Sequence, residues 1–140
     1  GFAANTDQGL MVPVIKDADQ KSLKEISLEL IRLSENARSG KIQINDLQGG
    51  TFTIASLGEF GGVGFTPIIN PPEVAILGVA RAQIRPIMIK GKFLPRLILP
   101  LSLSYDHRVI DGVGGIQFTS ALKELLENPE SYLSEEISVG

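Results

Sequence analysis

An alternating apolar pattern that ends in a turn around the chain's only histidine constrains the fold more than any other feature. From Phe93 to Tyr105 apolar side chains recur at every second position, at Leu97, Leu99, Leu101, Leu103 and Tyr105. This period is typical of a β-strand with one apolar face. An amphipathic helical pattern begins after Gly112. We therefore expect His107 to lie in the loop between a strand and a helix, where rigid elements position solvent-facing side chains.

Two helices and several further strands are predicted from the remaining patterns. The sequence Ser22-Leu23-Lys24-Glu25 fits a capping box, and an apolar stripe then runs toward a stop at Gly40 through Leu23, Ile26, Leu30, Leu33 and Ala37. A second stripe comprises Phe118, Ala121, Leu122, Leu125 and Leu126, and we interpret both stripes as core. Apolar runs predict strands at residues 10–15, 51–57, 74–80 and 83–89, the last joined to the next strand by the turn Lys90-Gly91-Lys92. This order predicts an α/β fold, a layered sandwich in which two helices cover one face of a sheet.

Composition narrows the classes of function. The 140 residues fit one domain, and the 43% hydrophobic content is high enough for a core, which argues against disorder. A net charge of −3 with scattered basic residues argues against a nucleic-acid or anionic-membrane surface. The absence of cysteine excludes disulfides, thiolate metal sites and a cysteine nucleophile. No apolar run approaches the roughly 20 residues of a membrane span, and the N-terminal residues predict no secretory signal.

His107 allows three chemical interpretations. It can be an ordinary turn residue beside Asp106, with Arg108 paired to a carboxylate. It can bind a metal together with Asp106 and Asp111, although one imidazole and two carboxylates match no strong spacing signature. It can be a general base, oriented by Asp111, that activates a thiol or hydroxyl of a substrate, because the chain has no cysteine of its own. The residues alone leave all three open.

Several blocks of the sequence resemble one enzyme family in the same order. The turn Ser104-Tyr105-Asp106-His107-Arg108-Val109-Ile110-Asp111-Gly112 resembles the His-Arg-x-x-Asp-Gly signature of the dihydrolipoamide acyltransferases, the E2 core enzymes of 2-oxo acid dehydrogenase complexes. Further blocks that resemble the family lie at residues 9–14, 49–54, 65–73, 75–78, 100–103 and 125–129. The resemblance covers essentially the whole chain and is closest to the acetyl-transferring, pyruvate dehydrogenase branch. It implies a fold like that of chloramphenicol acetyltransferase, with a mixed sheet covered by helices.

The resemblance also implies a mechanism and partners. His107 would deprotonate the thiol of coenzyme A or of dihydrolipoamide, and Asp111 would hold the geometry near it. No metal is implied, and the lipoyl group would be carried on a separate domain. Homotrimers with active sites between subunits would assemble into a cubic or dodecahedral core. This core would bind the E1 and E3 components through domains absent from this chain. The location implied is the cytoplasm, or the mitochondrial matrix in a eukaryote.

Two departures from the family pattern bear on activity. The family places a hydroxyl in the strand block Thr-Ile-Ser-x-Leu-Gly, or a threonine at the same place, whereas this chain has Ala55 there, followed by Ser56. Ser56 could substitute only if a bulge re-aimed it, because neighbouring side chains of a strand face opposite ways. The family's domain also has a substantial N-terminal part, so residues 1–140 are expected to be its C-terminal portion. The alternative function is therefore an impaired or inactive E2-like domain that serves as an oligomeric structural core.

Overall fold

A computed structural model describes residues 1–58 and 62–130 of the chain. The described residues form two helices, α1 (Leu23–Arg38) and α2 (Gly112–Glu127). They also form seven strands: β1 (Ala4–Thr6), β2 (Gly9–Met11), β3 (Thr53–Ser56), β4 (Ala75–Val79), β5 (Gln83–Ile89), β6 (Lys92–Ile98) and β7 (Leu101–Tyr105). Short 3₁₀ turns lie at Ala18–Gln20 and Ile44–Leu47.

A three-stranded mixed sheet in the order β3-β4-β7 forms the centre of the fold. Strands β3 and β4 are parallel, and β4 and β7 are antiparallel. In this register Ala55, Gly78 and Ser102 lie level with one another across the three strands. Strand β4 is buried along Ala75–Gly78, as its continuous apolar run predicts. The N-terminal residues extend the sheet beyond β3 through a parallel bridge between Phe2 and Ile54.

Two further strand pairs lie outside this sheet. Strands β1 and β2 form one antiparallel pair, and β5 and β6 form a longer hairpin. The hairpin turns at Lys90 and Gly91, whose φ angles of +48° and +77° suit a tight turn that matches the twist of the strands. The predicted turn at Lys90-Gly91-Lys92 is thus confirmed.

The single long strand predicted from Phe93 to Tyr105 is wrong. The chain breaks at Leu99 and Pro100 into β6 and β7, which belong to different sheets. The pairing of β6 with β5 ends at Ile98, opposite Gln83, and the Pro100 carbonyl accepts instead from the Ala80 N–H just after β4, so the chain changes ladders although the apolar alternation continues. The strand that leads to His107 is therefore the short β7.

The helix α1 begins and ends where its signals predict. The Ser22 hydroxyl accepts a hydrogen bond from the Glu25 N–H at 3.3 Å, and the Glu25 carboxylate accepts one from the Ser22 N–H at 2.9 Å. The helix ends before Gly40, whose φ of +69° suits glycine. The predicted capping box is confirmed.

The interpretation of both apolar stripes as core is wrong for most of their residues. Of the α1 stripe, Leu33 and Ala37 are buried, whereas Leu23 is 51% exposed and Leu30 42% exposed. Helix α2 buries Gly115 against Tyr105 and places the Phe118 ring 5.5 Å from that of Phe52. In the rest of its stripe, Leu122 is half-buried, and Ala121, Leu125 and Leu126 are exposed. Helix α1 lies mainly against β1 and α2 against β7, so neither helix packs broadly across the three-stranded sheet. None of the helices described is long and apolar enough to cross a membrane.

Candidate functional site

The turn that carries His107 is fixed by backbone hydrogen bonds at its first residue. The Asp106 N–H donates to the Val74 carbonyl at 2.8 Å, which ties the turn to the residue before β4. The Asp106 carbonyl accepts from the N–H groups of Val109 and Ile110, at 3.0 and 2.9 Å. His107 lies within this closed turn and is exposed, so its imidazole can meet a substrate. The prediction of a strand-to-helix loop around His107 is confirmed.

Arg108 is occupied by its neighbour Asp106. Its Nε donates to Asp106 Oδ1 at 2.9 Å and its Nη2 donates to Oδ2 at 2.6 Å, a two-pronged pair. Hydrogen bonds from Arg108 lower the pKa of Asp106 from its ordinary 3.8 to about 2, and the same pair raises the pKa of Arg108. Both charges are therefore satisfied by each other, which agrees with the interpretation in which Arg108 pairs with a carboxylate.

Asp111 acts on the helix rather than directly on the imidazole. It is the N-cap of α2, and its Oδ1 accepts a hydrogen bond from the Gly114 N–H at 2.7 Å. Its backbone carbonyl accepts from the Gly115 N–H at 3.1 Å. A side chain that satisfies a free donor of the first turn fixes where a helix begins. Asp111 thus sets the position of α2 relative to the His107 turn.

The three residues of the metal interpretation do not converge. The Asp106 carboxylate pairs with Arg108, and the Asp111 carboxylate caps α2. Within residues 1–58 and 62–130, no group of three or more histidine or acidic side chains is placed so that it could hold a metal ion. The geometry gives the metal interpretation no support.

Position 55 offers no hydroxyl. Ala55 is level with Gly78, and the pairing of β3 with β4 runs without a bulge from Thr53 to Ser56. Ser56 therefore points to the opposite face of the sheet from Ala55 and is exposed there. The bulge that would let Ser56 replace the missing hydroxyl is absent from this strand.

Ala55 and His107 lie toward opposite ends of the sheet. Ala55 is level with Ser102, two strands away, and Tyr105 lies three residues farther along β7 in the direction of His107. Strand rise and spacing put the backbones of Ala55 and Tyr105 about 14 Å apart. The chain continues away from Ala55 to reach His107. One copy of the described chain therefore does not bring the two positions together.

The described part of the chain has at least two concave regions. A groove of about 560 Å³ is lined by residues on either side of the His107 turn, among them Val74, Asp106, Arg108 and Val109. A larger cavity of about 840 Å³ lies between α1 and the N-terminal edge of the sheet, with Ile26 and Leu30 on one side and Phe2, Phe52 and Ile54 on the other. It contains none of the predicted site residues. The groove is the concave region adjacent to the candidate chemistry.

Sequence reasoning missed two contacts that shape this region. The buried Thr53 hydroxyl donates to Glu73 Oε2 at 2.6 Å across 20 residues of sequence. The rings of Tyr105 and His107 lie 5.8 Å apart with a 37° angle between their planes. No local pattern marks the first contact. The sequence Tyr105-Asp106-His107 places the two rings two residues apart, which hints at the second.

The sequence matches the family model of the 2-oxoacid dehydrogenases acyltransferase (catalytic domain) over residues 1–134. Among curated proteins, it is 53% identical over 133 residues to the dihydrolipoyllysine-residue acetyltransferase component of the pyruvate dehydrogenase complex of Pseudomonas aeruginosa. It is 55% identical over 126 residues to that of Cupriavidus necator. These matches cover 95% and 90% of this chain, but 24% and 23% of the relatives. The chain thus spans about a quarter of the length of these relatives.

Solved structures show the same likeness. One is a structure of the Azotobacter vinelandii dihydrolipoamide acetyltransferase, from work on a serine, a histidine and an asparagine in its catalytic mechanism. It matches with a TM-score of 0.91 at 53% identity, over 95% of this chain and 55% of that one. The cubic core of a pyruvate dehydrogenase multienzyme complex also matches with a TM-score of 0.91. A probable dihydrolipoamide acetyltransferase from Listeria monocytogenes matches at 0.86 and 42% identity, over 91% of this chain and 54% of that one. The predicted fold class, a mixed sheet covered by helices as in these catalytic cores, is confirmed.

Proposed function

Because the chain belongs to the 2-oxoacid dehydrogenase acyltransferases (catalytic domain), as the resemblance indicated, we propose that it moves an acetyl group between dihydrolipoamide and coenzyme A. The exposed imidazole of His107, in a turn closed by Asp106, is the observation that carries the proposal. An imidazole nitrogen can take and return a proton. Residues 1–140 would be the C-terminal portion of the catalytic domain.

His107 acts in this proposal as the general base. Its imidazole removes the proton of the attacking thiol, and the resulting thiolate adds to the carbonyl carbon of the thioester on the other carrier. When the tetrahedral intermediate collapses, the departing thiolate takes the proton back from His107. Asp106 does not compete for that proton, because hydrogen bonds from Arg108 hold its carboxylate in the charged form. No redox step or metal is required.

The spacing of the three residues studied in the Azotobacter vinelandii enzyme supports the same assignment. There the serine lies 52 residues before the histidine, and the asparagine lies four residues after it. Counted from His107, these spacings fall on Ala55 and Asp111. Asn and Asp are both strong N-cap residues, so the exchange at position 111 retains the helix cap. The exchange at position 55 removes a hydroxyl.

The missing hydroxyl predicts a slow enzyme. A donor at position 55 would stabilise the oxyanion of the tetrahedral intermediate, and losing one such donor costs about 2.7–4 kcal/mol, roughly a hundred- to a thousandfold in rate. His107 would still supply base catalysis. The chain is therefore proposed to be an impaired acetyltransferase.

A second copy of the chain is proposed to complete the site. Position 55 and His107 are far apart within one copy, so they can meet only across an interface between copies. The β5–β6 hairpin presents an apolar face whose Ile84, Met88, Phe93 and Leu97 are between 56% and 75% exposed. A surface of this kind favours association.

The distribution of charge along the sequence also supports a second copy of the chain as the partner. Between Glu73 and Asp106 the sequence has five basic residues and no acidic one: Arg81, Arg85, Lys90, Lys92 and Arg96. The net charge of the whole chain is −3, so the remainder carries −8. The basic hairpin of one copy therefore complements the acidic remainder of another.

Membership of this family also leads us to propose how the chain assembles. Homotrimers would build a cubic or dodecahedral core, with coenzyme A as a substrate and the lipoyl group on a separate domain. The E1 and E3 components would bind through domains outside residues 1–140. The location proposed is the cytoplasm, or the mitochondrial matrix in a eukaryote. The likeness to the cubic core supports a role in a multienzyme core.

The second candidate function, a structural core that assembles without turnover, is not favoured by the relatives, which are named as acetyltransferases, and only Ala55 keeps it open to test. The two candidates differ in whether acetyl transfer occurs at all. Both predict oligomers, so a monomer in solution would count against both. The discriminating quantity is the transfer rate once the missing hydroxyl is restored.

The test is acetyl transfer from acetyl-coenzyme A to dihydrolipoamide, measured with the chain extended to the full catalytic domain. Ala55→Ser should raise kcat about a hundred- to a thousandfold. Ser56→Ala is the matched control and should leave the rate unchanged, because its hydroxyl faces the other side of the sheet. No activity in any variant, Ala55→Ser included, would rule out the enzyme and favour the structural core.

A further inference from the structure

We propose that Tyr105, held against Gly115 of α2, is a positioning residue that sets the orientation of the His107 imidazole. The catalytic consequence rests on the proposed role of His107 as base. The positional claim rests on geometry alone, in which a glycine, a tyrosine ring and the imidazole follow one another at the end of β7.

The first contact leaves no room for a larger side chain at position 115. Gly115 is buried, and a Cβ atom built on it would lie 2.8 Å from Tyr105 Cε1 and 3.0 Å from Cζ. The 2.8 Å distance is shorter than such carbon atoms tolerate, so the Tyr105 ring lies in the space that the glycine leaves open and would have to shift for a larger side chain. The helix therefore fixes the plane of the ring.

The second contact is between the Tyr105 ring and the His107 imidazole. The two ring centroids are 5.8 Å apart, within the roughly 4.5–7 Å range of aromatic pairs. In the part of the chain that the structure describes, the His107 side chain makes no hydrogen bond or ion pair. The Tyr105 ring is thus the group that restricts how the exposed imidazole turns.

Asp111 also contributes to the position of the Tyr105 ring. By capping α2 through Gly114, it fixes the start of the helix, and its carbonyl accepts from the Gly115 N–H. Gly115 therefore contacts the Tyr105 ring at a fixed point at the end of β7. Asp111 positions His107 through the helix, the glycine and the ring, with no hydrogen bond between the two side chains.

The chain's single histidine makes this proposal directly measurable. The His107 ring protons give one set of NMR signals, and a neighbouring aromatic ring displaces them. Tyr105→Phe keeps the ring and should keep the displacement. Tyr105→Leu should abolish it, and Gly115→Ala should change it by pushing the ring. Phe118→Leu is the matched control, because it removes a ring from the interface between the sheet and α2 that does not touch His107.

Kinetics of the full catalytic domain then separate positioning from folding. Tyr105→Leu should lower kcat about ten- to a hundredfold, the scale of a misplaced catalytic group, while KM for coenzyme A stays unchanged. Tyr105→Phe should restore kcat. Unshifted His107 signals in Tyr105→Leu, or an equal loss of kcat in Tyr105→Phe, would overturn the proposal. If Tyr105→Leu does not fold, the signals and kcat of Gly115→Ala and Tyr105→Phe decide it in the same way. Shifted signals together with full activity of His107→Ala would uphold the contact and refute the proposed base.

Discussion

Replacing Thr53 by valine should destabilise the chain measurably, although the side-chain volume hardly changes. Thr53 is fully buried at the start of β3, and its hydroxyl donates to Glu73 Oε2 at 2.6 Å. Valine fits the same space, so no cavity forms, and the loss is that of one hydrogen bond to a carboxylate. Such bonds contribute about 1.5–3 kcal/mol. Glu73 is partly exposed and can be rehydrated, so we expect the lower part of this range, about 1.5–2 kcal/mol.

Urea unfolding followed by circular dichroism measures this loss. For a chain of this size it corresponds to a fall in Tm of about 5–8 °C. A double-mutant cycle of Thr53→Val with Glu73→Gln isolates the pair, and we expect a coupling of at least about 1 kcal/mol.

The matched control is Thr119→Val. Its hydroxyl donates only to backbone carbonyls within α2, at 3.0 Å to Gly115 and 3.1 Å to Ile116, so the change should stay within about 0.5 kcal/mol. If Thr53→Val unfolds at the same urea concentration as the unchanged chain, or if the two substitutions are additive, the Thr53–Glu73 pair does not hold β3 as argued.

The remaining predictions concern the turn. Asp106 has a lowered pKa, so the stability that its pair with Arg108 contributes is present above pH 4 and lost as the pH falls toward 2. Arg108→Gln should return the Asp106 pKa toward 3.8, as read from the NMR titration of its carboxyl carbon; a pKa that stays near 2 would contradict the assigned cause. Asp111→Ala should cost about 0.5–2 kcal/mol in urea unfolding through loss of the N-cap, whereas Asp111→Asn should cost little. Equal losses in both variants would show that the carboxylate acts other than as a cap.

Local signals predicted the elements whose causes are local. The Ser22 capping box and Gly40 bracket α1 because both act within one turn of the helix end. The alternation from Phe93 to Tyr105 misled, because a period of two reports the strand conformation but not the ladder that a residue joins. Pro100 alone does not mark the break, because Pro86 and Pro95 lie inside the intact ladder of β5 and β6.

For the candidate site too, what the sequence predicted depended on whether a contact joins neighbouring or distant residues. The exposed position of His107 and the pairing of Arg108 followed from neighbouring residues. The direct orienting role given to Asp111 depended on where α2 begins, which only the folded chain shows. The contacts of Thr53 with Glu73 and of Gly115 with Tyr105 join residues 20 and 10 positions apart, and no periodic pattern records either. The exposure of the helix stripes depends on which strands each helix packs against, a property of the folded chain.

The central claim is that His107 works at an interface between copies, and mixed assemblies of the full catalytic domain test it most directly. Chains carrying both Ala55→Ser and His107→Ala supply the hydroxyl but no base, whereas unchanged chains supply His107 but no hydroxyl. No chain in the mixture holds both groups. If the site forms between copies, co-refolded mixtures should transfer acetyl groups about a hundredfold faster than the unchanged chain alone. A mixture that merely averages the rates of its two components would contradict the account.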